Sequence, residues 1–103
     1  PPATILSLDP RMEAYEQFRS HYDTARFEEA LPFARRVVEL SEADPKRDHE
    51  LPIAYNNLGA TQYELGDYKA AEASYVKSLE ILEASQGISS RKLIVICVTP
   101  GLA

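Results

Sequence analysis

The sequence predicts an all-α fold, an α-α superhelix of about two helical hairpins with a partial third. Three observations predict it. Apolar residues recur at helical spacing in four separate stretches, short turns and one charged linker divide the stretches, and the two halves overlay on each other at a constant offset. With 103 residues the chain is expected to form one domain with a modest core.

Residues 1–8 (PPATILSL) read as an extended lead-in to a helical domain over 9–87. The opening Pro1-Pro2-Ala3, without an initiator Met, is what a processed or trimmed chain would show. Asp9-Pro10 is a helix start, because an Asp side chain can accept from free N–H groups and a proline at the first helical position gives up only a donor that had no partner. Met12, Tyr15, Phe18 and Tyr22 follow on one apolar face, and the helix should end near Asp23-Thr24. A second helix is expected over about 25–41, with Phe27, Ala30, Leu31, Ala34, Val37, Val38 and Leu40 on its apolar face. Pro32 lies inside it and should cost the bond to the Glu28 carbonyl and bend the helix.

Residues 42–50 (EADPKRDHE) read as a solvated linker. Asp48 is the expected cap of a third helix, with Pro52 still in its first turn and Ile53, Ala54, Leu58, Thr61 and Leu65 on its apolar face. Gly66 should stop that helix in the left-handed region and Asp67 should cap the next. The fourth helix carries Tyr68, Ala71, Tyr75, Val76, Leu79 and Leu82 and should end near Gly87. For residues 88–103 the expectation is a partial third repeat, a short helix packed on the fourth, with an extended or disordered end as the alternative because LIVICVT is β-branched and Pro100-Gly101 terminates it. A chain cut off within a repeat would leave an apolar face of the fourth helix open, favouring self-association or a missing C-terminal portion.

Placing Phe27 on Tyr68 also places Tyr22 on Tyr63, Ala25 on Gly66, Ala30 on Ala71, Ala34 on Tyr75 and Val38 on Leu79, one offset of 41 residues without a gap. Repeated hairpins of this kind bury their faces on one another as a solenoid. The run Tyr55-x-x-Leu58-Gly59-x-x-x-Tyr63-x-x-Gly66-Asp67-Tyr68-x-x-Ala71-x-x-x-Tyr75 closely resembles the tetratricopeptide signature. The long period, the Asn56-Asn57-Leu58-Gly59 run and Pro32 resemble the kinesin-light-chain type of that repeat, which is also common in bacterial proteins. The resemblance covers roughly 11–86, with repeat one at about 11–43 and repeat two at about 51–86. It is specific in the second repeat and weaker in the first, where Phe18 replaces a small residue and Ala25 replaces glycine. Phe18 is expected to be tolerated because a first repeat has no predecessor to pack on.

The resemblance implies a protein-interaction scaffold with no cofactor, holding a peptide or partner helix on a concave face. Carried over by motif position, that face takes Asn56, Asn57, Ala60, Tyr63 and Glu64 from the second repeat and Tyr15, Arg19, Tyr22 and Asp23 from the first. Asparagines there can donate to and accept from a peptide backbone. The competing structural roles are Tyr22 and Tyr63 packing between helices, and Asn57 bonding the adjacent hairpin. The clamp lysines that grip an acidic C-terminal peptide in some relatives are replaced by Tyr15 and Asn56, which disfavours that ligand. The alternative function is a structural or oligomerising segment of a larger repeat protein.

Other chemistry is sparse. The net charge is −5 and no basic stripe marks a nucleic-acid binder; the pairs Arg35-Arg36, Lys46-Arg47 and Arg91-Lys92 read as solvated surface. His21 and Asp23 diverge on a helix, and Asp48-His49-Glu50 reads as a charged turn, so no metal or catalytic site is expected. Cys97 reads as a small hydrophobe and the apolar run 93–98 is too short to span a bilayer. Bacterial cytoplasm and periplasm are both compatible with the sequence.

Overall fold

The computed structural model describes residues 9–86. They form α1 (Pro10–Asp23), α2 (Phe27–Glu42), a 3-10 turn (Pro45–Glu50), α3 (Leu51–Glu64) and α4 (Tyr68–Gln86), with each helix packed chiefly on its neighbours in the chain. Residues 1–8 and 87–103, including the expected lead-in, partial third repeat and end near Gly87, lie outside the described residues.

Asp9 caps α1 as its sequence position requires: its carboxylate accepts from the backbone N–H of Arg11 at 3.1 Å and of Met12 at 3.3 Å. Burial alone would raise this carboxyl, but the Met12 N–H and the nearby Arg47 guanidinium outweigh it and hold it below 3.8. α2 runs as one helix through Pro32. It starts later than expected, at Phe27, because Ala25 and Arg26 belong to the turn.

That turn is built like its counterpart in the second hairpin. The N–H of Ala25 donates to the Tyr22 carbonyl and that of Arg26 to the His21 carbonyl, while the N–H groups of Gly66 and Asp67 donate to the Tyr63 and Gln62 carbonyls. Both are Schellman closures, which need a residue in the left-handed region. Gly66 supplies φ +83° without strain, whereas Ala25 is forced to φ +62°. Asp67 then caps α4 through the Ala70 N–H at 3.3 Å, and Arg26 in the same place gives α2 no side-chain cap.

The core holds Ala14, Phe18, Ala30, Ala34, Val37, Val38, Ala54 and Leu58. Phe18 is only 3% exposed, so it is a core residue and not one tolerated at a free end. Its volume is balanced within the hairpin. Register places Phe18 on Gly59 and Ala34 on Tyr75; hairpin one pairs large with small, and hairpin two small with large. A Cβ on Gly59 would stand 3.0 to 3.2 Å from the Tyr75 ring. The cross-helix partners are exchanged in the same way. His21 stacks on Phe33 with centroids 5.5 Å apart, and at the equivalent positions the Ser74 hydroxyl donates to the Gln62 amide oxygen at 2.6 Å. α4 thus buries Ala71, Ser74 and Ser78 against α3, and the Ser78 hydroxyl donates to the Pro52 carbonyl at 2.8 Å.

Three sequence expectations give way here. Asp48 does not cap α3, whose N-terminal flank is Glu50 without a side-chain bond; Asp44 instead caps the preceding 3-10 turn through the Lys46 N–H. The linker is not merely solvated, because Arg47 reaches Asp9 at 2.9 Å and Glu50 at 3.3 Å, and Arg11 meets Glu50 at 2.9 Å. Met12, Ile53, Leu65, Tyr68 and Val76, placed on apolar faces, are exposed. A second tie joins the hairpins: the Tyr55 hydroxyl donates to Glu42 at 2.5 Å. Burial, then the bond to Glu42 and its negative charge, push the Tyr55 phenol up to about 12.

Replacing Ala25 by Gly should stabilise the fold by about 0.5–1 kcal/mol, since it relieves the left-handed strain; a lower midpoint in urea would contradict the turn assignment. Gly59→Phe should cost about 3 kcal/mol, and adding Tyr75→Ala should restore at least about half of it. An additive double variant would show that the two positions do not share the space. Tyr55→Phe should cost about 1–2 kcal/mol. The raised Tyr55 pKa contributes stability in full below its unfolded value of 10.0 and loses it as the pH rises toward about 12. Urea melts across that window should therefore show a shallower alkaline decline in Tyr55→Phe than in the native chain.

Candidate interaction groove

Seven of the nine positions expected on the binding face (Tyr15, Arg19, Tyr22, Asp23, Asn56, Asn57 and Ala60) line one groove of about 350 Å³ between α1 and α3, together with Phe18. Positions four apart on α1 stack along its exposed side. Arg19 donates to the Tyr15 hydroxyl at 3.3 Å and to Asp23 at 3.4 Å. The Tyr15 bond, with the charge of Asp23 behind it, raises the already high pKa of Arg19. The guanidinium is thereby strung along the helix at the groove's edge.

Tyr22 does both things the sequence allowed. Its ring packs between Phe18 at 5.4 Å and Phe27 at 5.2 Å, and it still borders the groove. Burial raises its phenol pKa, and the charges of Glu64 and Asp23 add to the effect. Glu64 does not line the groove. Tyr63 leaves the groove. It shares a helical face with Asn56 two turns earlier, but its ring meets Tyr68 edge-on at 5.0 Å and borders a different depression on α4. The Tyr22–Phe27 and Tyr63–Tyr68 pairs occupy the same register position in the two hairpins.

Asn56 and Asn57 differ from the residues around them. Among the described residues their side-chain amides make no hydrogen bond within the protein; the Asn57 backbone carbonyl, by contrast, accepts from the Thr61 hydroxyl at 2.8 Å. Asn57 thus does not brace the adjacent hairpin through its amide. Each amide keeps two donors and an oxygen acceptor for something in the groove.

Sequence reasoning missed a continuation of this surface. Arg11, Met12, Val37, Glu50, Ile53 and Ala54 join Tyr15 and Asn57 around an apolar depression of about 210 Å³. Met12 is 40% exposed and Ile53 61%, although both belong to the apolar periodicity of their helices. The signal that could have found them is the offset itself, which puts Met12 on Ile53. An apolar residue repeated at one register position on the outer side of both hairpins marks a surface stripe. No group of three metal-binding side chains comes together among the described residues. No described helix is long and apolar enough to cross a membrane.

Stacked helical hairpins with side grooves between their first helices define a helical-repeat interaction module. The chain belongs to the tetratricopeptide repeat family, whose model matches residues 19–84. No curated protein and no solved structure matches it. Tetratricopeptide repeats mediate protein–protein interaction and are typically non-catalytic.

Proposed function

We propose that this chain is a scaffold module that holds an extended peptide or a partner helix along the groove between α1 and α3. The observation that carries this reading is the pair of unspent asparagine amides, Asn56 and Asn57, beside an exposed apolar depression. The amides suit a peptide backbone, whose donors and acceptors are the same whatever its sequence. The Met12 and Ile53 depression suits one apolar side chain of the ligand and supplies the anchor. Arg19 lies at the far end, already engaged by Tyr15 and Asp23, and favours a polar or acidic group there without the grip of a lysine clamp. The ligand that fits is an apolar anchor followed by a sequence-tolerant polar stretch.

Peptides selected from a random displayed library against the native chain should share such an anchor. The double variant Arg19→Ala with Asn57→Ala should bind them about tenfold or more weakly while melting at an unchanged temperature. Ile53→Asp should abolish selection of the apolar anchor. Unchanged affinity in the double variant would remove the groove from the function.

A further inference from the structure

The apolar depression beside the groove takes its shape from α1, α2 and α3 together. Met12 of α1 and Ile53 of α3, the exposed pair at one register position, stand at its rim. Val37 and Ala54, each 3% exposed, form its floor. Among the described residues that line it, Val37 alone comes from α2, and Ala54 carries only a methyl group, so Val37 sets the depth. Arg11 and Glu50 border the depression as an ion pair at 2.9 Å and offer no net charge to a ligand. The offset of 41 residues carries Val37 onto Ser78. Ser78 is also buried, but its hydroxyl is engaged by the Pro52 carbonyl at 2.8 Å. One register position thus holds a structural hydrogen bond in hairpin two and the floor of an open depression in hairpin one. Because the hairpin accepts a side chain as small as serine there, helix packing alone does not dictate the volume of Val37.

We infer that Val37 is the specificity-determining residue of this site, and that it selects peptides with one neutral apolar anchor between leucine and phenylalanine in size. The inference rests on the peptide reading above and adds to it which side chain is taken and what measures it. The depression holds about 210 Å³. A closed apolar cavity of about 150 Å³ takes a benzene molecule, so one branched aliphatic side chain or single ring fills this space. A charged anchor would lose its hydration against Met12, Val37 and Ile53 and gain no counter-ion, because Arg11 and Glu50 are already paired. An alanine anchor would leave the floor uncovered. Tyr15 and Asn57 belong to both the depression and the groove, so a seated anchor places the adjoining peptide backbone beside the free Asn57 amide. Each methyl group added or removed at Val37 changes the depth that remains for the anchor, and one methylene in such a pocket discriminates about tenfold.

The test takes a peptide selected from the displayed library and resynthesises it with valine, leucine or phenylalanine at the anchor. Binding of the three is measured to the native full chain and to Val37→Ala, Val37→Ile and Val38→Ala. Val38 is buried in the same cluster but does not line the depression, so its variant reports lost packing alone. Val37→Ala should raise the affinity ratio of the phenylalanine to the valine peptide about tenfold, and Val37→Ile should lower it. Val38→Ala should leave the ratio where it is. A ratio of two peptides on one protein cancels any change in the folded fraction, so a less stable variant does not imitate the shift. Anchored peptides that bind the native chain, with the same ratio in both Val37 variants, would overturn the inference and leave the peptide reading standing. An equal shift in Val38→Ala would overturn it as well, by assigning the change to general repacking. A library that yields no apolar-anchored peptide would overturn both.

Discussion

The close approach of Gly59 to the Tyr75 ring sets the geometry on which the second hairpin depends. Two helices cannot come this near with ordinary side chains on both sides, so one position must give up its volume to the other. Gly59 gives it up entirely. The consequences spread along the helix pair: with the axes close, Ser74 and Ser78 reach across to Gln62 and the Pro52 carbonyl, and polar hydroxyls become buried and satisfied. Hairpin one reaches the same shape from the opposite assignment, Phe18 on the first helix and Ala34 on the second. What the fold holds constant is the summed volume at the crossing.

The relation between hairpins is fixed by a different kind of contact. α2 and α3 share the apolar cluster of Val37, Val38, Ala54 and Leu58, and polar ties fasten its edges. Tyr55 donates to Glu42 on one side, and Arg11 and Arg47 hold Glu50 and Asp9 on the other. The extra residues that lengthen the repeat therefore do work in packing. The 3-10 turn brings Arg47 back onto the start of α1, and Glu50 with it. Because Arg11, Glu50 and Ile53 also border the apolar depression, the same ties set the shape of the proposed binding surface.

Much of this was legible in the sequence because its signals are local. Asp9-Pro10, Gly66-Asp67 and the helical spacing of apolar residues each depend on a few neighbouring positions, and each placed its element. Seven of the nine positions carried over from the motif border one groove, because a repeated hairpin repeats its outward faces. What escaped depends on partners distant in sequence. Ala25 takes a glycine's conformation because the packed hairpin demands a Schellman turn, and nothing in the residue announces it. Arg47 looked solvated because Asp9, its partner, lies 38 positions away. Asp44 outcompeted Asp48 as a cap because a 3-10 turn intervenes, a choice between two similar charged sites that spacing alone does not make. Met12 and Ile53 fall on apolar helical faces yet stay exposed, because apolar periodicity does not tell an inner face from an exposed stripe. Tyr63 left the groove because its ring found Tyr68.

The exchanged volumes at the two crossings also discriminate between right and wrong partners. Repeats with interchangeable helices risk assembling out of order, within one chain or between two. If α1 paired with α4, Phe18 and Tyr75 would compete for one space. If α3 paired with α2, Gly59 would face Ala34 across a void. Each mismatched hairpin is penalised, one by overlap and the other by emptiness. The departure of the first repeat from the family pattern at Phe18 thus acts as a key cut to fit a single lock, and it enforces the order in which the four helices find one another.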